Sequence, residues 1–169
     1  MFKLSSFLLV ACLGLAACQK TGPAPVDKDA AQKAVADLFD AYGKALKAKD
    51  VIGITATLAD DVLFIGTDPN EFWNREKVIT QFNSLAKDST ASLDFTMTKR
   101  EIRLSPDGMM AIVTEQYTIP MISNKISVRS VGHTRMMDGQ WKIDFYSWAL
   151  IPRNEDMAKL NKAMELTPP

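Results

Sequence analysis

Cysteine and histidine are almost missing from this 169-residue sequence, which has two cysteines and one histidine. With only Cys12 and Cys18 present, a disulfide-stapled scaffold and a cysteine-based zinc site are excluded. The lone His133 has no cluster of acidic or histidine neighbours at ligand spacing, so we expect no metal. A Gly-rich phosphate loop, a G-x-S-x-G elbow and an H-E-x-x-H motif are also missing, and we expect no cofactor.

An excess of charge is missing too, because 20 basic side chains are balanced by 20 acidic ones. Without a basic excess the chain has little to neutralise phosphates, so no nucleic-acid partner is expected. The length and the 47% hydrophobic content are those of one globular domain with a proper core.

The first residues carry one cation, Lys3, followed by an apolar run over 7–17 that is too short to span a bilayer. This pattern predicts a secretory signal peptide over 1–17. The segment Leu-Ala-Ala-Cys ending at Cys18 resembles the lipobox of bacterial lipoproteins, in which the cysteine is acylated and becomes the mature N-terminus. The resemblance implies that lipid on Cys18 anchors the chain to a lipid bilayer.

Residues 18–27 contain a glycine, two prolines and polar side chains, and we predict a flexible tether there. In enterobacterial lipoproteins, an aspartate directly after the cysteine retains the protein in the inner membrane. Gln19 occupies that position here. The resemblance therefore implies a lipid-anchored location in the cell envelope, at the outer membrane and facing the periplasm of a Gram-negative cell.

Apolar residues recur at helical spacing over 28–49 and over 75–86, which predicts two amphipathic helices, with a short helix over 51–58 between them. Asp29, with Gln32 three residues later, is a candidate cap for the first helix. Asn74 either caps the later helix or adopts a left-handed conformation.

Residues 62–67 are β-branched and aromatic, which predicts a strand. Asp68, Pro69 and Glu71 then match the spacing of a capping box, which predicts a short helical turn through Phe72 and Trp73. Asp68 and Glu71 are alternatively a pair of carboxylates for acid–base chemistry. We favour the cap, because it accounts for both carboxylates and for the proline.

Residues 91–150 are strand-like, with a turn at 105–108, a hairpin at Asp138-Gly139, and a parity change that predicts a β-bulge between Thr98 and Glu101. Helices followed by three or four long antiparallel strands indicate the α+β class.

The last strand carries apolar residues on both faces, Trp141, Ile143 and Phe145 on one and Tyr146 and Trp148 on the other. A partner subunit covering the second face predicts a homodimer. We predict a C-terminal helical extension over 152–169.

Two segments carry a family resemblance. Residues 62–73, VLFIGTDPNEFW, and residues 139–143, GQWKI, are similar to motifs of SnoaL-like domains in the NTF2-like superfamily. The resemblance implies one domain over 28–151, folded as a cone in which a strongly curved antiparallel sheet wraps around the N-terminal helices and leaves a pocket. Members often dimerise, and they include isomerases, dehydratases and proteins without known chemistry, so the fold does not decide function.

The chain departs from the family pattern at two places. Asn74 stands where many relatives have glycine, and Ser147 stands where many have a histidine. The absence of that histidine removes a potential general base, which argues against catalysis by a base at this position.

Candidate catalytic residues are Asp144, Glu115, His133 and Tyr117. An isomerase of this superfamily needs a carboxylate base and hydroxyl donors in an apolar pocket, where burial raises the pKa of the acid. His133 either acts as a general base oriented by Asp144 across the hairpin or is an ordinary hydrogen-bonded sheet histidine. We favour the second interpretation.

Three functions therefore stay open. The leading hypothesis is a membrane-anchored periplasmic protein that binds a small apolar or amphipathic ligand without turnover. Its candidate pocket residues are Tyr42, Phe64, Trp73, Tyr117, His133 and Trp148. The alternatives are a cofactor-independent isomerase, dehydratase or hydrolase acting on a small apolar substrate, and an envelope protein-interaction module.

Overall fold

Helices come first and strands follow in the computed structural model, which describes residues 26–165. The first three helices are α1 (Lys28–Lys47), α2 (Val51–Thr57) and α3 (Arg75–Lys87). The strands are β1 (Leu58–Ile65), β2 (Phe72–Trp73), β3 (Thr96–Leu104), β4 (Met110–Ile119), β5 (Ser123–Met137) and β6 (Gln140–Ile151). A 3₁₀ turn at Asn154–Asp156 leads into α4 (Met157–Glu165). The predicted α+β class is confirmed. The predicted signal peptide, Cys18 and most of the predicted tether lie outside the described residues.

Side-chain caps fix where the helices begin. Asp27, not Asp29, caps α1, because its Oδ1 accepts hydrogen bonds from the backbone N–H groups of Asp29 and Ala30. Asn74 caps α3 by accepting from the backbone N–H of Lys77 at 3.0 Å. Of the two roles predicted for Asn74, the structure therefore has the cap.

The six strands form one open, curved sheet in the order β2-β1-β6-β5-β4-β3. Strands β1 and β6 are parallel, and the other neighbouring pairs are antiparallel. Helix α1 packs on β3 and β6, and α3 packs on β1 and β2, so the helices lie on one face of the sheet. We call the helix-covered face the inner face and the opposite one the outer face.

The predicted helical turn at Phe72 and Trp73 is wrong, since these residues form the short strand β2 against Ile65 and Phe64. One hydrogen bond of the capping box is nevertheless present, because the backbone N–H of Asp68 donates to Glu71 Oε2 at 3.0 Å. Asp68 Oδ1 accepts from the backbone N–H of Asn70 at 2.8 Å instead of from that of Glu71. They close a loop between two strands instead of starting a helix. The Trp73 ring stacks on that of Phe64 with centroids 5.9 Å apart, and this aromatic burial favours the strand.

Two of the register shifts between the long strands are one-residue β-bulges, which bend a strand. The predicted one is found at Thr98, between the pairs Met97–Tyr117 and Lys99–Gln116. The other, at Asp144, was not predicted, and there His133 pairs with Phe145 while Thr134 pairs with Ile143.

The bulge at Asp144 corrects the interpretation of β6. Trp141 and Ile143 before it, and Tyr146 and Trp148 after it, all face the helices, because their partners on β5 alternate regularly. The apolar residues of β6 therefore do not by themselves indicate a covered outer face.

Candidate functional site

Aromatic rings occupy the centre of the space between helices and sheet. Tyr146 is the hub: its ring centroid lies 5.2 Å from those of Tyr42 and Phe64 and 5.9 Å from that of Trp148. The gap left beside them is about 10 Å³, no more than room for one water. The hollow expected inside the cone is thus filled at its centre, and open space remains only on either side.

The larger space, the α1 cleft, has a volume of about 390 Å³ and opens between α1 and strands β3 and β4. This volume lies within the range of small-molecule sites. Its apolar wall comes from Phe39, Gly43, Phe95, Met97 and Tyr117. Its charged lining consists of Asp40, Lys44, Lys47, Arg100 and Glu115.

A partly buried ion-pair network forms one end of the α1 cleft. Arg100 Nε lies 2.6 Å from Glu115 Oε1, and its NH1 lies 2.7 Å from Asp40 Oδ1. Glu115 is only 2% exposed, and its other carboxylate oxygen accepts a hydrogen bond from the Tyr117 hydroxyl. The guanidinium therefore binds both carboxylates of the cleft.

Burial raises the pKa of Glu115, and the neighbouring Arg100 opposes that rise without cancelling it. A carboxyl with a raised pKa beside a tyrosine hydroxyl has the chemistry of a proton donor or acceptor.

Tyr42 has a buried hydroxyl that finds no hydrogen-bond partner among residues 26–165. Burial raises the pKa of this hydroxyl, and the nearby Glu115 carboxylate raises it further. The tyrosine is therefore neutral, and it carries a donor that nothing in its surroundings uses.

The smaller space, the tryptophan cleft, has a volume of about 220 Å³. Phe64, Trp73 and Trp148 contribute rings to it, together with Phe82. Its rim is polar and contains the residues Gly66, Thr67, Glu71 and Gln81. The lining carries one carboxylate and no basic side chain.

His133 and Asp144 meet as predicted across the hairpin, with His133 Nδ1 2.6 Å from Asp144 Oδ1. They lie on the outer face, however, where Asp144 Oδ2 also lies 3.2 Å from Arg135 Nε. Arg135 in turn binds Asp61. The sheet thus separates this pair from Glu115 and Tyr117, and the four catalytic candidates do not converge on one point.

The candidate pocket residues are distributed over several places. Phe64, Trp73 and Trp148 line the tryptophan cleft, Tyr117 lines the α1 cleft, and Tyr42 lies at the filled centre between them. His133 is excluded from this interior by its position on the outer face.

Sequence reasoning missed most of the α1 cleft. Asp40, Lys44 and Lys47 repeat at helical spacing beside the apolar face of α1, a signal that places their side chains on one edge. After the bulge at Thr98, Arg100 shares the inward parity of Ile102 and Leu104. An arginine whose side chain points towards the core needs a carboxylate partner, because an unpaired buried charge is costly. That requirement would have indicated Glu115.

Residues 26–165 contain neither a metal-binding cluster nor a membrane-spanning helix. No group of three or more histidine, cysteine, aspartate and glutamate side chains is arranged to hold a metal ion. Within the same range, no helix combines the length and the apolar character needed to cross a membrane.

Comparison with known proteins identifies the family. The SnoaL-like domain family matches residues 35–151. A comparison with curated proteins gives no match.

Similar solved structures include an NTF2-like protein of unknown function from Pseudomonas putida, 17% identical, with a TM-score of 0.64, covering 72% of this chain and 87% of that one. A cystatin-like fold protein from Burkholderia xenovorans is 15% identical, with a TM-score of 0.62, and the match covers 73% of this chain and 94% of that one. A protein from Parabacteroides distasonis, provisionally named a ketosteroid isomerase, is 17% identical, with a TM-score of 0.55, covering 69% and 85%. The chain therefore belongs to the SnoaL-like domain family and has the NTF2-like, or cystatin-like, α+β fold.

Proposed function

We propose that this protein is a lipid-anchored component of the cell envelope whose SnoaL-like domain binds a small amphipathic molecule without turning it over. The observation that carries the binding role is the α1 cleft, about 390 Å³ of open space with an apolar wall and a charged end. Apolar pockets with a few placed polar groups are the usual form of small-molecule sites.

The anchor rests on the sequence. Cys18 follows an apolar run of signal-peptide length and precedes a segment rich in glycine and proline. An acylated Cys18 holds the domain at the bilayer, and Gln19 favours the outer membrane, facing the periplasm. A tether of this composition lets the cleft reach molecules released from, or destined for, that membrane.

Non-catalytic binding is favoured by the separation of the titratable groups. Glu115 is already held by Arg100 and Tyr117, and the His133–Asp144 pair lies across the sheet. A general base needs to reach the proton it abstracts, and these two pairs lie on opposite faces of the sheet, so that the four candidates do not surround one shared point.

A cleft-filling substitution tests the binding role. Met97 lines the α1 cleft, whereas Met110 pairs with Arg135 on the outer face, and both are 42% exposed. We expect M97W to weaken saturable binding of the neutral probe N-phenyl-1-naphthylamine by about fivefold or more, because the indole occupies ligand space. We expect M110W to bind it as the wild type does.

These titrations use the full chain carrying C18S, which lacks the acylation site and needs no detergent. Equal binding by M97W and the wild type, or no saturable binding by the wild type, would overturn the assignment of the cleft.

A second candidate function is isomerisation, favoured by one observation, the raised pKa of Glu115 beside the Tyr117 hydroxyl. Glu115 would move a proton from the α carbon of a β,γ-unsaturated ketone to its γ carbon, with Tyr117 as the nearby donor. Ultraviolet absorbance of the conjugated product distinguishes the candidates. Binding alone predicts no turnover above solvent, whereas catalysis predicts turnover that E115Q abolishes.

The homodimer stays a proposal, and its support comes from the outer face. Leu63, Phe145, His133 and Ile112 pair in one row across β1, β6, β5 and β4. Leu63, Ile112 and the adjacent Val131 are exposed. We propose that a second copy of the chain covers this row. A two-fold axis brings the same apolar patch of both copies into contact, and Asp61 and Arg135 flank the patch.

A further inference from the structure

Within residues 26–165, the two ammonium groups of the α1 cleft have no carboxylate partner. Lys44 and Lys47 lie one turn apart on α1, are exposed, and form no ion pair with any residue in the described part of the chain. Both carboxylates of the cleft are bound to Arg100 instead. Lys33, earlier on the same helix, shows the contrast, since its Nζ lies 2.6 Å from Asp37 Oδ2.

The end of the helix does not neutralise this charge. Carbonyl groups at the C-terminus of α1 carry about half an elementary negative charge, which is less than two ammonium groups supply. The α1 cleft therefore keeps a positive rim beside its apolar wall.

The positive rim and the apolar wall lie next to each other. Lys47 Nζ is 4.3 Å from the centroid of the Phe95 ring, and Phe95 lines the cleft with Met97. Gly43, one residue before Lys44, leaves the approach to Phe95 open, because a Cβ there would lie 3.2 Å from Phe95 Cζ. A ligand whose charged head lies at the lysines can thus place an attached apolar tail against Phe95 directly.

We propose that the ligand of the α1 cleft is an organic monoanion with an apolar tail. Its head binds Lys44 and Lys47, and its tail contacts Phe95 and Met97. This inference rests on the proposed function, because it names the chemical class of the molecule bound in the same cleft.

Two probes of equal chain length isolate the head group. Isothermal titration calorimetry compares decanoate with 1-decanol on the full chain carrying C18S. We expect decanoate to bind about fivefold to tenfold more tightly than 1-decanol, the effect of two partly exposed ion pairs. We expect added salt to lower the ratio of the two affinities, because salt screens exposed charges.

A matched pair of double variants locates the effect. K44Q/K47Q and K28Q/K33Q each remove two positive charges from α1, but only the first pair lies at the cleft. We expect K44Q/K47Q to bring the two probes within about twofold of each other, and K28Q/K33Q to leave their ratio unchanged.

The outcomes separate this inference from the proposed function. Equal affinity for decanoate and 1-decanol in the wild type, or equal effects of the two double variants, overturns the anionic ligand while leaving a binding cleft. Saturable binding of neither probe overturns both. A circular dichroism melt of each variant shows whether it is folded.

Discussion

Gly132 on β5 lies against the ring of Phe39 from α1, so closely that a Cβ on Gly132 would be 2.6 Å from Phe39 Cζ. Tyr146 Cδ2 would lie only 3.2 Å from the same Cβ. Glycine is therefore required at this position by the approach of the helix to the sheet. Both rings belong to the packed centre that separates the two clefts.

We expect G132A to lower the free energy of unfolding by about 1–3 kcal/mol, the usual cost of forcing a methyl group into a packed core. Urea denaturation followed by circular dichroism measures it. G43A is the comparison, because its added Cβ meets only the far end of Phe95 and it replaces a helical glycine. A loss in G43A as large as in G132A would contradict the argument.

The two tyrosines beside Glu115 are expected to respond oppositely to loss of their hydroxyl groups. Tyr42 has a buried hydroxyl without a partner, so Y42F is neutral or stabilises the protein by up to about 1 kcal/mol. Tyr117 donates to Glu115, so Y117F costs about 1–2 kcal/mol. Thermal and urea unfolding of Y42F and Y117F measure the change in stability. A similar loss of stability in both variants would contradict the prediction.

Glu115 makes stability depend on pH. Because burial raises its pKa above the ordinary value of 4.5, the folded chain binds more protons at this site than the unfolded chain. The contribution of Glu115 is complete below pH 4.5 and is lost as the pH rises through the raised value. We therefore expect the stability of the wild type relative to E115Q to fall as the pH rises above 4.5.

Urea denaturation of the wild type and E115Q at a series of pH values measures this difference. The exposed Asp61, whose pKa is lowered by its hydrogen bond to Arg135, is present in both proteins, and its effect cancels. Parallel stability curves for the two proteins would show that Glu115 does not titrate differently on folding.

The outer face is tested by one charge next to its apolar row. Val131 is 38% exposed on β5 and points away from the helices. We expect V131D to convert a dimer into a monomer without loss of fold, because a desolvated carboxylate in the interface would have no partner. Sedimentation velocity gives the mass. A monomeric wild type would remove the proposal.

Lipid on Cys18 is tested by mass spectrometry of the mature protein. We expect an N-terminus at Cys18 carrying acyl chains, and we expect C18S to be released from the membrane fraction. The membrane-associated wild type and the released variant should differ in location but share the same circular dichroism spectrum. An unmodified N-terminus at any other residue would refute the anchor.

The elements were predictable where one periodicity holds over a long segment. Helix α1, helix α3 and the hairpin at Asp138-Gly139 follow from local pattern and turn chemistry. The strand at Phe72 and Trp73 could not be predicted from the local pattern, because the spacing of a capping box occurs equally in a turn between strands. Stacking of Trp73 on a ring distant in sequence decided that case.

The site was harder to predict than the fold. Glu115 and Tyr117 were recognised by residue type, and the structure places them in contact. Arg100 and the two lysines were not, because their place beside Glu115 depends on how α1 packs on β3 and β4. His133 and Asp144 lie across the hairpin from each other, as one interpretation of His133 had it, but the position of Asp144 depends on a bulge in β6 that the sequence does not reveal.

That bulge makes the length of β6 matter more than any one of its side chains. With Asp144 present, Trp141 and Ile143 share a side with Tyr146 and Trp148. A regular ladder through every residue from Trp141 to Trp148 would turn one of those pairs of large apolar residues out into water. The extra residue at Asp144 therefore sets which face the second half of the strand presents to the helices, and it lets both pairs reach the core.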